Sequence, residues 1–216
     1  MSPTPSSAPD ESRGARGNRY HHGDLKAALV EGAIGLIAER GLRGFSLAEL
    51  SRRLGVTVAA PYRHFADRDE LLATVAVRAL HAFGDALAAG AGDEDPPERR
   101  LAAMASGYVR FAAEQRPLFD VVYGAGLDKS RYPELRWAYE RVEEPFSSCV
   151  DRLCPDDPGA AEVLGDALEA AAHGHAMLLI DGSYGEGPDA TARAAAQAAG
   201  VTLALIQGRA ALQRPR

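Results

Sequence analysis

Apolar residues recur at helical spacing along most of the chain from residue 20 onward, and no other feature limits the possible folds as strongly. The first such segment runs from about Asp24 to Arg40. Leu29, Ala33 and Leu36 fall on one face of this segment, as in an amphipathic helix. We find no stretch that alternates between apolar and polar residues and is flanked by turn residues, as a half-buried strand would be. We therefore predict an all-α fold without a sheet.

Capping residues and loops divide this pattern into about nine predicted helices. Their approximate ranges are 24–40, 46–55, 58–64, 67–89, 98–115, 118–122, 134–153, 160–180 and 190–213. Pro145 lies inside the seventh range and predicts a kink there, because proline has no amide hydrogen to donate.

The second predicted helix has the most complete set of local signals. Ser46 and Glu49 form a capping box, in which the Ser46 hydroxyl accepts the Glu49 amide and the Glu49 carboxylate reaches back to the Ser46 amide. Phe45 and Leu50 are placed for the accompanying hydrophobic contact. Gly55 is placed to end the helix in a left-handed conformation.

Positive charge is concentrated in one short segment of an acidic chain. The 216 residues carry a net charge of −6, but residues 43–68 contain five arginines against Glu49 and Asp67. This asymmetry fits a small DNA-contacting head on an acidic body. Charge alone leaves an ordinary distribution of surface charge equally open.

The sequence favours a cytoplasmic protein. No apolar run approaches the ~20 residues of a membrane helix. Residues 1–15 are rich in Ser and Pro without the apolar core of a secretory signal. The two cysteines, Cys149 and Cys154, fit a reducing compartment and lack the second pair of a zinc site. We expect no metal and no cofactor.

Residues 1–19 are rich in Ser, Pro and Gly and are expected to form a disordered arm. Such an arm either lies in a DNA minor groove or has no role in binding.

Residues 46–64 predict a helix-turn-helix: one helix, a turn of Gly55, Val56 and Thr57, and a short second helix over residues 58–64. A major groove is about 12 Å wide and accepts one α-helix, so the second helix must protrude and carry small side chains on its leading edge. The residues predicted on that edge are Thr57, Val58, Ala59, Ala60 and Arg63.

The longer side chains around this edge have chemistry suited to DNA. Arg63 can pair with a guanine edge through two hydrogen bonds or with a phosphate. Tyr62, His64 and Arg68 have polar ends suited to phosphate oxygens. For Tyr62 we expect a shared role, with its ring packed and its hydroxyl on a phosphate, and for Phe65 a place in the core.

The stretch from Phe45 to Leu72 resembles the N-terminal domain of TetR-family (tetracycline-repressor-like) regulators. The positions that match the family pattern are Gly55-Val56-Thr57, Tyr62-Arg63-His64-Phe65, Arg68 and Leu71. The resemblance covers roughly residues 20–75. Arg68 stands in place of the commoner lysine and keeps the charge. Pro61 stands where the family usually has an aliphatic residue, so the short helix is expected to start late or to have a loosened first turn.

This resemblance implies an N-terminal three-helix DNA-binding domain over residues 20–68 and a C-terminal domain over residues 69–216. The C-terminal domain would dimerise through its last two helices and hold a cavity for a small-molecule effector. The double-stranded operator would be palindromic and released when the effector binds. Carried over position by position, the implied DNA contacts are Thr57, Val58, Ala59, Ala60, Tyr62, Arg63, His64 and Arg68, with Arg43 and Ser46 as phosphate partners.

The aromatic and methionine residues of the C-terminal part are candidate walls of that cavity, although such residues at helical spacing are more often plain core. The candidates are Met104, Tyr108, Phe111, Phe119, Tyr123, Trp137, Tyr139, His173 and Met177. His173-Gly174 and the residues after it also resemble a subclass whose C-terminal domain is named for Trp, His and Gly. This chain has Glu169 where we place the Trp.

Three alternatives stay open at this point. A helical-bundle enzyme is the weakest, because the sequence contains no nucleophile motif, no glycine-rich phosphate loop and no pair of metal-binding carboxylates. A ligand-independent DNA-binding protein would use its body only as a dimer scaffold and would lack an internal cavity. An activator cannot be separated from a repressor by sequence.

Overall fold

The structure is a computed structural model that describes residues 22–90 and 96–212. Within these residues it contains eight α-helices and no strand, which confirms the predicted fold class. The helices are α1 (His22–Arg40), α2 (Leu47–Arg53), α3 (Arg68–Ala88), α4 (Pro97–Glu114), α5 (Arg116–Gly124), α6 (Pro133–Leu153), α7 (Pro158–Ile180) and α8 (Pro188–Gln207). The predicted N-terminal arm lies outside the described residues.

Proline and glycine set many of the helix ends. Each helix from α4 to α8 has a proline in its first turn, where the amide hydrogen has no helical partner in any case. Gly41 and Gly55, which follow α1 and α2, have positive φ angles of 68° and 67°, a conformation that favours glycine. In contrast, α6 runs through Pro145 without ending.

The third predicted helix is wrong in type and in length. Residues 58–60 form a turn, and only Pro61–Arg63 are helical, as a short 3-10 turn. Most of the hydrogen bonds link residues three apart: the Ala60 amide donates to the Thr57 carbonyl at 2.9 Å, and the His64 amide to the Pro61 carbonyl at 2.9 Å. One bond of α-helical type follows, from the Phe65 amide to the Pro61 carbonyl at 3.0 Å. Pro61 has no amide hydrogen with which to start an α-helical ladder. The described residues therefore contain one α-helix fewer than predicted.

The last helix also differs from its prediction. It ends at Gln207 and is followed by a 3-10 turn over Arg209–Ala211, whereas the periodicity predicted a helix to residue 213. Residue 213 lies outside the described part of the chain.

Helix α3 connects the two ends of the molecule. It packs against α1 near the N-terminal helices and against α4, α5 and α6 in the rest of the chain. Helix α4 is central in the larger part and packs against α3, α7 and α8. The α3–α4 contact is close, because a Cβ atom on Gly107 would lie 2.1 Å from the carbonyl oxygen of Ala86.

Among the described residues, α3 is also the one helix long and apolar enough to cross a membrane by length and composition. Half of its apolar stretch is buried inside the protein. Leu72, Val75 and Leu80 are among its buried residues and belong to the core. This burial is what a core helix shows.

Candidate DNA-binding surface and ligand cavity

The beginning of α2 is capped as the sequence predicts, but only by half of the capping box. The Ser46 hydroxyl accepts a hydrogen bond from the Glu49 amide at 3.2 Å. The Glu49 carboxylate pairs with Arg52 and lies 3.2 Å from Arg40 Nη2, rather than reaching back to the Ser46 amide. The hydrogen bond from Arg52 lowers the pKa of Glu49. Glu49 thereby links α2 to the end of α1.

Gly55 reverses the chain after α2 and brings the next residues to the surface. The amide of Val56 donates to the carbonyl of Ser51 at 3.0 Å, which closes the helix end. Thr57, Val58 and Ala59 then lie exposed, and Val58 keeps 57% of its surface accessible. An apolar side chain this exposed at the tip of a turn is free to contact a partner.

The 3-10 turn adds two further exposed side chains, Tyr62 and Arg63. Tyr62 is 54% exposed. We name the group of exposed residues Thr57, Val58, Ala59, Tyr62 and Arg63 the tip surface. It combines small side chains with one phenol and one guanidinium, as a surface that enters a DNA groove requires.

Ala60 does not belong to the tip surface, although the sequence placed it there. It is only 8% exposed, and the next residue, Pro61, is also buried. Phe65 is 2% exposed, which confirms its predicted place in the core. The turn therefore buries the Ala60 side chain, which is not available to a partner.

The remaining predicted DNA contacts surround the tip surface. Arg43 and Ser46 are exposed, and His64 and Arg68 are half-buried. The Arg68 guanidinium donates to the Leu42 carbonyl at 3.1 Å, so this side chain braces the turn after α1. The Nε2 atom of His64 is buried and has no hydrogen-bond partner in the described residues.

Asp67 connects this end of the molecule to the larger part. Its Oδ1 accepts the Glu70 amide at 2.8 Å and so caps α3, the helix whose predicted range begins at this residue. Its Oδ2 accepts a hydrogen bond at 2.8 Å from Arg131, in the 3-10 turn Lys129–Arg131. The hydrogen bond from the Glu70 amide and the nearby Arg131 guanidinium lower the pKa of Asp67.

A cavity of about 330 Å³ lies between α3, α4, α6 and α7. It is bounded mainly by apolar side chains, including Leu80, Phe83, Leu87, Leu101, Phe146 and Leu168. Of the predicted wall residues, Met104, Tyr108, Tyr123 and Tyr139 line it.

Five of the predicted wall residues lie elsewhere. Phe111 and Phe119 are buried in the aromatic cluster beside Tyr108, where Phe119 stacks on His173 at 5.9 Å between ring centres. Trp137 is 54% exposed on α6, and Met177 packs against the core outside the cavity. Helical spacing indicates which residues share a helix face, but not which of several neighbouring helices that face meets.

The phenols of the cavity are held by specific contacts. The Tyr108 hydroxyl lies 2.8 Å from His173 Nδ1, and the Tyr139 hydroxyl donates to the Val122 carbonyl at 3.0 Å. Burial is the main cause that raises the pKa of Tyr108 and of Tyr123, and the charge of Glu169 contributes. Both phenols therefore stay neutral at ordinary pH.

Sequence reasoning missed the charged residues of the cavity. Lys129, Glu143 and Glu169 are the charged side chains among the lining residues. The Lys129 ammonium lies 3.5 Å from the centre of the Tyr139 ring and 3.8 Å from Glu143 Oε1. Because the three come from different elements, only Glu169, at an expected Trp position, gave a signal in the sequence.

Thr202 was also missed. It is 1% exposed, lines the cavity, and its hydroxyl has no hydrogen-bond partner in the described residues. A polar residue in the alanine-rich α8 was the available signal.

Two family profiles match separate parts of the chain. The profile described as bacterial regulatory proteins of the TetR family matches residues 29–75. The profile described as the tetracyclin repressor-like C-terminal domain matches residues 101–201. Together they cover more than half of the chain, including α2, the tip surface and the cavity helices α6 and α7.

One curated relative is the HTH-type transcriptional regulator BetI of Brucella anthropi, 30% identical over 87 residues. That alignment spans 40% of this chain and 44% of BetI, which is less than half the length of the relative.

Solved structures match over most of their length. A protein of unknown function from Rhodococcus sp. RHA1 is 28% identical, with a TM-score of 0.66 over 87% of this chain and 97% of that one. The TetR-family regulator PfmR of Thermus thermophilus is 21% identical, with a TM-score of 0.61 over 82% and 97%. A TetR-family regulator from Streptomyces coelicolor is 19% identical, with a TM-score of 0.67 over 90% and 85%. The last two show a shared fold.

Proposed function

Because the chain belongs to the TetR family of DNA-binding transcriptional regulators, we propose that it is a homodimeric repressor released from a palindromic operator by a small molecule. Residues 20–68 would be the DNA-binding domain and residues 69–216 the dimerisation and effector domain. The protein would act in the cytoplasm and use no cofactor. We also propose that its C-terminal domain belongs to the subclass named for Trp, His and Gly.

The tip surface carries the proposal. It protrudes from α2 through a glycine turn and presents small side chains that allow a close approach to base edges. Arg63 would read a guanine or hold a phosphate, and Tyr62 would place its hydroxyl on the backbone. Arg43, Ser46, His64 and Arg68 would hold phosphates around it.

Dimerisation is proposed for the outer face of α7 and α8. Leu178 on α7 and Val201 and Leu203 on α8 are large apolar residues that lie exposed. A second copy of this face would cover them and place two tip surfaces on one side of the dimer. For binding to successive major grooves, their spacing would be about 34–36 Å.

The cavity supports regulation by a ligand. Its volume of about 330 Å³ lies within the range of small-molecule sites. A body that served only as a dimer scaffold would not need it. Such a ligand would bind more tightly to a dimer whose tip surfaces are wrongly spaced for the operator than to one with the correct spacing. It would lower operator affinity by the ratio of its affinities for these two states. Helix α3 would transmit the change, because it contacts both parts of the chain.

Selection of bound sequences from random DNA by the purified full-length chain tests this function. We expect an inverted repeat whose half-sites lie about one helical turn apart. Arg63→Ala should weaken binding to that site by about 1–3 kcal/mol, whereas Arg152→Ala, an exposed arginine at the far end of α6, should not. Selection of no symmetric site, or equal binding by both variants, would refute the proposal.

A further inference from the structure

We propose that the cavity binds an amphiphilic organic cation, whose positive group takes the place of the Lys129 ammonium beside Tyr139 and Glu143. The regulatory meaning of this site rests on the proposed function. The choice of a cation as ligand rests on the residues that line the cavity. Ligand binding and operator release can therefore be tested separately.

The first observation is that the structure already contains a cation at this position. The Lys129 ammonium lies 3.5 Å from the centre of the Tyr139 ring and 3.8 Å from Glu143 Oε1. An aromatic face and a carboxylate attract a cation together, and quaternary ammonium ligands bind to such faces. Because Lys129 stands on a surface turn and is about half exposed, its ammonium can leave for solvent.

The second observation is the charge balance of the lining. Glu143 and Glu169 face one lysine, and Glu169 has no salt-bridge partner in the described residues. When Lys129 moves away, two carboxylates and several aromatic rings remain. Both carboxylates are solvent-exposed, so their attraction is screened, but its sign still favours a cation over a carboxylate or phosphate.

The third observation is the apolar wall. Leu80, Leu87 and Leu101 line the cavity together with Phe83, Phe146 and Leu168. A hydrated inorganic ion would leave this surface without a partner. A ligand with an apolar body would cover it and gain from its burial.

The fourth observation is independent of charge. Thr202 is 1% exposed and lines the cavity, and its hydroxyl has no partner in the described residues. A buried hydroxyl without a hydrogen bond costs free energy, which a polar atom of a ligand would recover. We therefore assign the ligand a second polar atom, such as a hydroxyl or ether oxygen, in its apolar body.

Calorimetric titration of the purified full-length protein with octyltrimethylammonium, octan-1-ol and octanoate tests the charge. The cation should bind most tightly and octanoate least. Lys129→Met removes the resident ammonium and should tighten cation binding by about three- to tenfold. Glu169→Gln should weaken it by a similar factor, roughly three- to tenfold, and leave octan-1-ol binding unchanged.

Matched controls remove the same charge from the same helices outside the cavity. Glu162→Gln on α7 and Glu144→Gln on α6 are exposed positions that do not line it, and both should bind the cation like the wild type.

Thr202 is tested with ω-hydroxyalkyltrimethylammonium ions of increasing chain length. Thr202→Val should weaken binding of the best of these ions and leave octyltrimethylammonium unaffected.

The charge assignment is wrong if octanoate binds as tightly as the cation, or if Lys129→Met and Glu169→Gln bind the cation like the wild type. Operator binding is measured on the same preparations. Release of the operator by the neutral or anionic probe would refute the assignment of a cationic ligand. It would not contradict the proposed function as a ligand-released repressor. If the chain binds the cation but selects no operator, the proposed function is refuted, whereas the assignment of a cation site still holds.

Discussion

Arg131 Nη2 lies 2.8 Å from Asp67 Oδ2, and this hydrogen-bonded ion pair joins the turn that carries Lys129 to the N-terminal cap of α3, four residues after the tip surface. Arg131 ends the same 3-10 turn that begins with Lys129. Asp67 caps α3 three residues after His64. We therefore expect a ligand that displaces Lys129 to act on a turn whose other end, Arg131, holds Asp67.

We expect Arg131→Gln to weaken the coupling between ligand and operator without unfolding the protein. The pair is exposed, so its loss should change the thermal unfolding midpoint little. The ratio of operator Kd values with and without octyltrimethylammonium should fall toward one, from a coupling factor on the order of ten. Arg136→Gln on α6, which pairs with Glu140 away from Asp67, is the control. An unchanged ratio in Arg131→Gln would exclude this turn as a transmission route.

Asp67→Asn should remove part of the acid dependence of stability. The folded-state pKa of Asp67 is lowered, by the Glu70 amide first and by Arg131 after it, so its ionised form stabilises the folded state. That contribution is complete above the ordinary Asp value of about 3.9 and is lost as the pH falls through the lower folded value. Asparagine still caps the helix but cannot titrate. Urea unfolding at stepped pH should give wild-type and variant stabilities that converge toward acid pH, and a constant difference would contradict the assignment.

The local elements were predictable where one residue decides the outcome. Ser46 and Asp67 cap their helices, and Gly55 ends α2, because each acts on amides within a few residues. The prediction of the third helix failed because Pro61 lacks the amide hydrogen that a short helix needs for its few backbone hydrogen bonds. Periodicity counts apolar positions and does not register that loss, whereas the late start expected from Pro61 itself is confirmed, because the helical turn begins at that residue.

The cavity was less predictable because its walls come from helices far apart in sequence. Lys129, Glu143 and Glu169 meet only after α6 and α7 have packed. Trp137 was placed in the cavity because it is aromatic, yet it lies exposed on α6. Apolar character makes burial common but does not require it.

Replacing Pro61 with alanine should extend the 3-10 turn into an α-helical one. The new amide can donate to the Thr57 carbonyl, which at present accepts from Ala60 at 2.9 Å. The change from three to about 3.6 residues per turn would rotate Tyr62 and Arg63 relative to α2, so binding to the wild-type operator should weaken. Hydrogen exchange at residue 61 and a second selection from random DNA measure both effects. Pro155→Ala, in the loop after α6, controls for the entropy that any lost proline returns to the unfolded chain.

Gly107→Ala should destabilise the protein, although alanine is the better helix former. Its Cβ atom would lie 2.1 Å from the Ala86 carbonyl oxygen and 3.2 Å from Leu87 Cα, and backbone atoms of α3 cannot rotate away as a side chain can. The helices must separate, at a cost of about 1–3 kcal/mol or more. Gly35→Ala in α1 is the matched control, because its Cβ would meet no atom within 4 Å; we expect a gain of about 0.5–1 kcal/mol there. Chemical unfolding of both variants at one protein concentration measures the two effects, which should have opposite signs. Equal stabilisation by both substitutions would mean that α3 and α4 lie farther apart than described. The shape and volume of the cavity that they line would then also differ from those described.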